Sequence, residues 1–328
     1  MHNKPPIFKN PFWNYDGTGN PLHGYFGMDK YLYWTIIAFA FIAYFLIWVF
    51  RRTIHDHFKT SDDGTKKIQR YYLIFVSLIL LFMQILRTIW VVDKSYGRIW
   101  EAIPLQFCRL ILILITGLII FNKIEYIPYI TPFSTVAASI ALIVREMPKS
   151  VGIDSYLFWD FLLIHLFILI FPMVISSIKQ IRFTIYDSIF RISFIVFFAS
   201  IGFIINIVTL KFAPKEWRSN FFFIAPNESN GLPLFKNKPS LWPLTSLVYL
   251  SFCLFWETLS GITYCLQDKI YINKIDNFWI FKIKKSDNFR KFFNIKHWRL
   301  YKPKKALINY SNKEDLDNEN IDFELDNQ

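Results

Sequence analysis

Seven stretches of about 20 mostly apolar residues dominate this chain, and that is the length a helix needs to cross the hydrocarbon of a bilayer. They run Tyr31–Phe50, Tyr71–Val92, Ala102–Phe121, Ile127–Val144, Tyr156–Ile175, Ile189–Leu210 and Pro243–Tyr264. Backbone groups in lipid must find partners inside their own segment, so such a chain folds as helices or as a closed barrel, and stretches this long select helices. The expected fold class is an all-α integral membrane protein, a seven-transmembrane-helix bundle at the cell membrane. A mean hydropathy of +0.28 and an aromatic share of 20% exclude an ordinary soluble domain. The fourth stretch, IPYITPFSTVAASIALIV, carries two prolines and many small residues, which let helix backbones approach closely. It is expected at the centre of the bundle.

Basic residues in the short connections set the orientation. The connections after spans one, three and five hold nine Lys/Arg, against four in those after spans two and four. The N-terminus is therefore expected outside and the C-terminus in the cytoplasm, although the loop 211–242 adds five basic residues on the outer side. Residues 1–30 are polar and Pro-rich, with no short apolar core of the kind a cleavable signal peptide has, and read as an external segment. Residues 265–305 hold twelve Lys/Arg against three acids, interleaved with aromatics as in FWIFKIKKSDNFRKFFNIKHWRLYKPKK. That composition suits the head groups of an anionic leaflet better than nucleic acid, for which no recognisable module is present. The acidic end, SNKEDLDNENIDFELDNQ, is expected to be disordered. Three cysteines, Cys108, Cys253 and Cys265, match neither a disulfide framework nor a zinc spacing, and no cofactor or metal is implied.

The stretch IPLQFCRLIL, 103–112, puts Gln106, Cys108 and Arg109 into an otherwise apolar run. Polar groups inside a membrane are costly and by default mark function. At 1.5 Å per residue, Cys108 lies about 9 Å and His165 about 14 Å from the outer ends of their expected spans. Gln84, Arg87, Asp160 and Asn206 also fall in the outer half, so a shared polar pocket is expected there. A thiolate is a nucleophile and an imidazole can take its proton, while Gln106 or Asn206 can orient the ring or steady an oxyanion. Asp160 is five residues from His165, about 140° round the helix, and is poorly placed to orient the ring. Arg109 and Arg87 can pair with Asp160 or hold a lipid phosphate. Glu257 has Arg191 as a conceivable partner and reads as structural. Asn206 is also a common kind of interhelical glue.

PLQFC at 104–108 resembles the PLHLC-type motif of the YwaF family of bacterial multi-pass membrane proteins, with Gln106 where that family often has His. FLLIHLFILIFP, 161–172, is similar to that family's later span with an intramembrane His, matching His165 and Pro172. SNFFFIAP, 219–226, resembles its NYMFL-type loop, matching Asn220, and KPSLWPL, 239–245, its entry to the last helix. The resemblance covers about residues 31–264. Vertebrate relatives in this superfamily are regarded as phospholipid acyltransferases, which implies Cys108 as acyl-accepting nucleophile and His165 as its base. Gln84, Gln106, Arg87, Arg109, Asn206 and Asn220 are then the candidates for contacting a membrane phospholipid. The alternatives are a non-enzymatic carrier or lipid-binding bundle, and a bundle whose polar residues serve only as packing.

Overall fold

A computed structural model describes residues 7–14, 28–93, 99–145, 147–179, 185–225, 244–266, 269–275 and 278–283. Eight α-helices occur among the described residues: α1 (Asp29–Val49), α2 (Arg51–Thr60), α3 (Asp63–Asp93), α4 (Phe107–Ile120), α5 (Ile127–Val144), α6 (Tyr156–Lys179), α7 (Ile185–Phe212) and α8 (Leu244–Cys265). Six helical segments are long and apolar enough to cross a membrane: 29–49, 63–93, 99–120, 124–144, 156–179 and 187–212. α8 is a further helix of 22 residues, carrying Glu257. A two-stranded antiparallel hairpin, β1 (Ile270–Ile275) and β2 (Phe278–Ile283), follows α8.

The centre is α5. Two-thirds of its apolar window is buried, against about a fifth for α1 and α7. Its small residues are the reason, because Ser, Thr and Ala let a neighbour come close and supply hydroxyls to bond with it. Thr131 Oγ1 meets Ser176 Oγ at 2.7 Å and donates to the Pro172 carbonyl of α6 at 3.2 Å. Pro128 sits in the first turn, where no intrahelical N–H is needed. On the outside of the bundle, Phe39, Phe45, Phe75, Phe82 and Phe197 are exposed on α1, α3 and α7, as surfaces facing lipid chains should be.

The structure adds three local features to the expected spans. The segment opening the third span is a 3₁₀ turn, Ile99–Ala102, followed by non-helical residues up to Gln106, and α4 begins only at Phe107. Pro104 explains the break, since it lacks an N–H and disfavours helical backbone in the residue before it. The connection 51–70 is helical, with α2 filling its first half and α3 starting at Asp63. The N-terminal segment docks on the bundle through the part described: Ile7 and Phe8 donate backbone N–H groups to the Asp93 carboxylate at 2.8 and 3.2 Å, and Trp90 Nε1 donates to the Trp13 carbonyl at 2.6 Å. The entry motif at 239–243, the basic stretch 284–305 and the acidic end lie outside the described residues.

Candidate functional site

At the end of the bundle where α4 and α6 start and α3 ends, four charged side chains meet. Arg87 of α3 donates to Glu101 at 2.6 Å and lies 3.7 Å from Asp160. Arg109 of α4 grips Asp160 of α6 with both guanidinium nitrogens, Nη1 at 3.2 Å from Oδ1 and Nη2 bonded to Oδ2. Arg109 Nη1 also donates to Gln84 Oε1 at 3.2 Å. Two cations and two anions balance formally, and Asp160 has no exposure to solvent. An unpaired charge at such a depth would be costly, so each carboxylate is placed against an arginine fork that fits it. The Arg87 guanidinium also stacks 4.7 Å from the centre of the Trp90 ring. Above the cluster, Trp13 of the docked N-terminal segment packs on Tyr156, ring centres 4.8 Å apart. Gln84 Nε2 is buried and makes no hydrogen bond among the described residues.

Cys108 occupies the second position of α4, one residue after Phe107. The first backbone bond of that helix runs from Leu110 N to Gln106 O, 2.9 Å, so the N–H groups of Phe107, Cys108 and Arg109 precede the intrahelical ladder. Gln106 is the capping residue, but its side chain makes no capping bond. The Cys108 thiol is half-buried and reaches toward α5, 3.9 Å from the Ala137 carbonyl. His165 is buried on α6, donating from Nδ1 to the Phe161 carbonyl at 2.6 Å. A carbonyl can only accept, so Nδ1 holds a proton and Nε2 of the neutral ring keeps its lone pair. The ring also lies within the field of Arg109 and Asp160.

Cys108 is one residue from an arginine bonded to α6, the helix that carries His165.

Asn206 and Asn220 stand elsewhere. Asn206 of α7 uses its whole amide on one loop: Nδ2 donates to the Phe221 carbonyl at 2.9 Å, and Oδ1 accepts from Ser219 Oγ and Phe221 N at 2.9 Å each. Asn220 Oδ1 accepts from Ala225 N at 3.0 Å. Both therefore shape the 219–225 loop, in which Phe222 adopts a left-handed backbone with φ 58°. Its ring packs 5.9 Å from Phe107, and a methyl group on Gly202 would come within 2.6 Å of it. Beside this loop an apolar cleft of about 380 Å³ opens between Trp100, Ile103, Ile205, Trp217 and Phe221, next to Cys108 in sequence but not lined by it.

The polar residues expected at one depth thus separate into two groups. Gln84, Arg87, Arg109 and Asp160 converge with His165 in their field, while Cys108 adjoins Arg109 in α4 and turns its thiol toward Ala137 of α5. Asn206 and Asn220 hold a neighbouring loop. Glu101 counts by sequence as part of a connection; its signal is an acid at the membrane edge, within reach of an arginine one span earlier. Hydropathy puts Cys108 well inside a span, whereas it stands in the first turn of α4.

The sequence profile described as TMEM164 family matches residues 25–265. No curated protein and no solved structure matches the chain.

Proposed function

The chain belongs to the TMEM164 family, a multi-pass membrane family, and from that premise we propose that it is a lipid acyltransferase or acyl hydrolase working through Cys108 and His165. The supporting observation is the position of Cys108 in the first turn of α4. Helix N-termini favour negative charge, so the sulfur nucleophile and the donors for an oxyanion come from one turn of chain. In the first step His165 Nε2 takes the thiol proton, and the thiolate attacks the carbonyl carbon of an acyl ester. The ester C–O bond then breaks, and the leaving alkoxide takes the proton back from His165. The acyl thioester on Cys108 is resolved by an acceptor hydroxyl or water, which gives its proton to His165 as the thiolate leaves. The acyl chain lies in the apolar cleft, and Gln84 Nε2 donates to a head-group oxygen. Arg87 and Arg109 are already matched to carboxylates, so they position the helices and do not bind phosphate.

In this reading the chain crosses the cell membrane seven times, with α8 as the last crossing, the N-terminus outside and the C-terminus cytoplasmic, and the site opens to the outer leaflet.

The test uses the purified full chain in phospholipid nanodiscs. Intact-mass analysis should show an acyl adduct that hydroxylamine removes at neutral pH, absent in Cys108→Ser and strongly reduced in His165→Ala. An unmodified chain, or an adduct that persists in Cys108→Ser, would sink the reading. The apolar cleft also favours a second possibility, a lipid-binding bundle without chemistry. That one predicts lipid retained equally by wild type and Cys108→Ser, and no acyl exchange between lipids.

A further inference from the structure

At the opposite end of the bundle, the hairpin raises a separate question of what covers it. The register pairs Ile270 with Ile283, Ile272 with Phe281 and Lys274 with Trp279, and residues paired across an antiparallel ladder share a face, so this face is apolar apart from Lys274 near the turn. Tyr271 points the other way and is buried, with the Arg52 guanidinium of α2 stacked 3.3 Å from its ring centre. Tyr271 thus ties the opposite face to α2, while Phe278 at its turn end is exposed. On β2, however, Trp279 is 56% exposed, Phe281 58% and Ile283 63%.

A lone two-stranded hairpin is marginal in water, and an exposed apolar edge strand invites aggregation. Water is therefore a poor neighbour for this face. We propose that the hairpin is an interfacial membrane anchor: its Ile270, Ile272, Trp279, Phe281 and Ile283 face lies on the lipid leaflet at the inner end of the bundle. Three observations select lipid. The Trp279 ring meets Phe50 edge-on at 5.2 Å, and Phe50 ends α1, whose Phe45 and Leu46 are exposed to lipid, so the apolar surface is continuous from span to hairpin. The chain that follows β2 carries Lys284, Lys285, Arg290, Lys291, Lys296 and Arg299, a charge complement to anionic head groups. Trp is also the residue favoured at the head-group level, where one edge of its ring is wet and the rest apolar. The hydrocarbon core itself is excluded, because β2 is an edge strand with unpaired backbone groups that need water or head groups as partners. The hairpin therefore lies flat at the interface, with its apolar side chains dipping toward the acyl chains. This inference rests on the membrane-spanning fold and not on the acyl chemistry.

The full chain is placed in nanodiscs of phosphatidylcholine and phosphatidylglycerol, with the photo-crosslinker p-benzoylphenylalanine in place of Phe281. The same probe in place of Phe45 and Lys59 gives the lipid-facing and water-facing references. Mass analysis should find lipid adducts at Phe281 near the Phe45 level and about tenfold above Lys59. A yield at the Lys59 level, or adducts to a second copy of the chain, would overturn the proposal. In phosphatidylcholine alone the Phe281 adduct should persist. If it vanishes there, the basic segment holds the hairpin and the apolar face does not insert, which also overturns it. Loss of the Cys108 acyl adduct would leave every one of these outcomes unchanged.

Discussion

Two buried ion clusters sit at different places in this bundle and are built differently. Arg191 of α7 and Glu257 of α8 form an ion pair, Nε to Oε1 at 2.7 Å, supported by Ser188 Oγ at 2.8 Å from Arg191 Nη2. Gly261 makes room for it, since a methyl there would come within 2.9 Å of the guanidinium. The other cluster joins α3, α4, α6 and the 3₁₀ turn at 99–102 through Arg87, Glu101, Arg109 and Asp160. A pair of helices needs only one ion pair to fix its register. Four segments locked together, around a helix start that carries a thiol, are more than packing requires. The difference separates a pairwise register lock from a scaffold suited to the proposed site.

The largest effect should come from Asp160→Ala. It leaves two arginines without their shared carboxylate, and breaking a buried charge cluster costs about 3–5 kcal/mol. Thermal unfolding in detergent should show a large drop in midpoint or no folded protein. Glu257→Ala should cost less, because Arg191 keeps Ser188. Equal losses would erase the distinction between the two clusters.

How far the sequence foretold this follows from particular residues. Hydropathy finds apolar segments, and the small residues of α5 announced its central position. Helical rise converts residue number into depth and puts Gln84, Arg87, Asp160 and Asn206 in the outer half; the structure brings the first three together with Arg109, whereas Asn206 holds the 219–225 loop. The start of α4 was not legible in that way. Hydropathy is blind to where backbone bonding begins, and Pro104 was the only local sign. Glu101 was missed because counting charges by loop hides an acid that folds back into the bundle. The hairpin was missed for a different reason: IYINKI and FWIFKI are strand-like runs separated by Asp276-Asn277, a turn-forming pair, but the surrounding lysines drew them into a basic tail. The pairing of Asn206 with the 219–225 loop depends on a left-handed Phe222, which no periodicity announces.

Glycine substitutions sharpen the comparison at a smaller scale. Gly202→Ala would drive a methyl into the Phe222 ring, which is wedged against Phe107, and overpacking of this kind costs about 1–3 kcal/mol. Gly261→Ala meets only the tip of the Arg191 side chain, which has more freedom to give way. Thermal midpoints should fall further for Gly202→Ala. Protease cleavage within 219–225 should also rise in Gly202→Ala alone. The reverse order would mean that the aromatic loop is loosely held and cannot shape a site beside Cys108.

The smallest effect concerns the water-exposed start of α3, away from either cluster. Asp62 precedes the helix and accepts hydrogen bonds from Thr65, from its hydroxyl and from its backbone N–H at 3.0 Å. Those bonds hold its carboxyl below its ordinary value of 3.8, chiefly through the hydroxyl. The sign follows from the lowered folded-state value. The capping contribution is complete above the unfolded-state pKa and is lost as pH falls through the folded one, so it should be insensitive to pH between 5 and 8 and fade only below about pH 4. Hydrogen exchange should show the Thr65 amide protected at neutral pH and released in Asp62→Ala, with no change at Leu110 at the start of α4. Release spreading to Leu110 would mean that the helix starts at the two ends of the bundle are coupled, and that the ion scaffold reaches across the whole membrane.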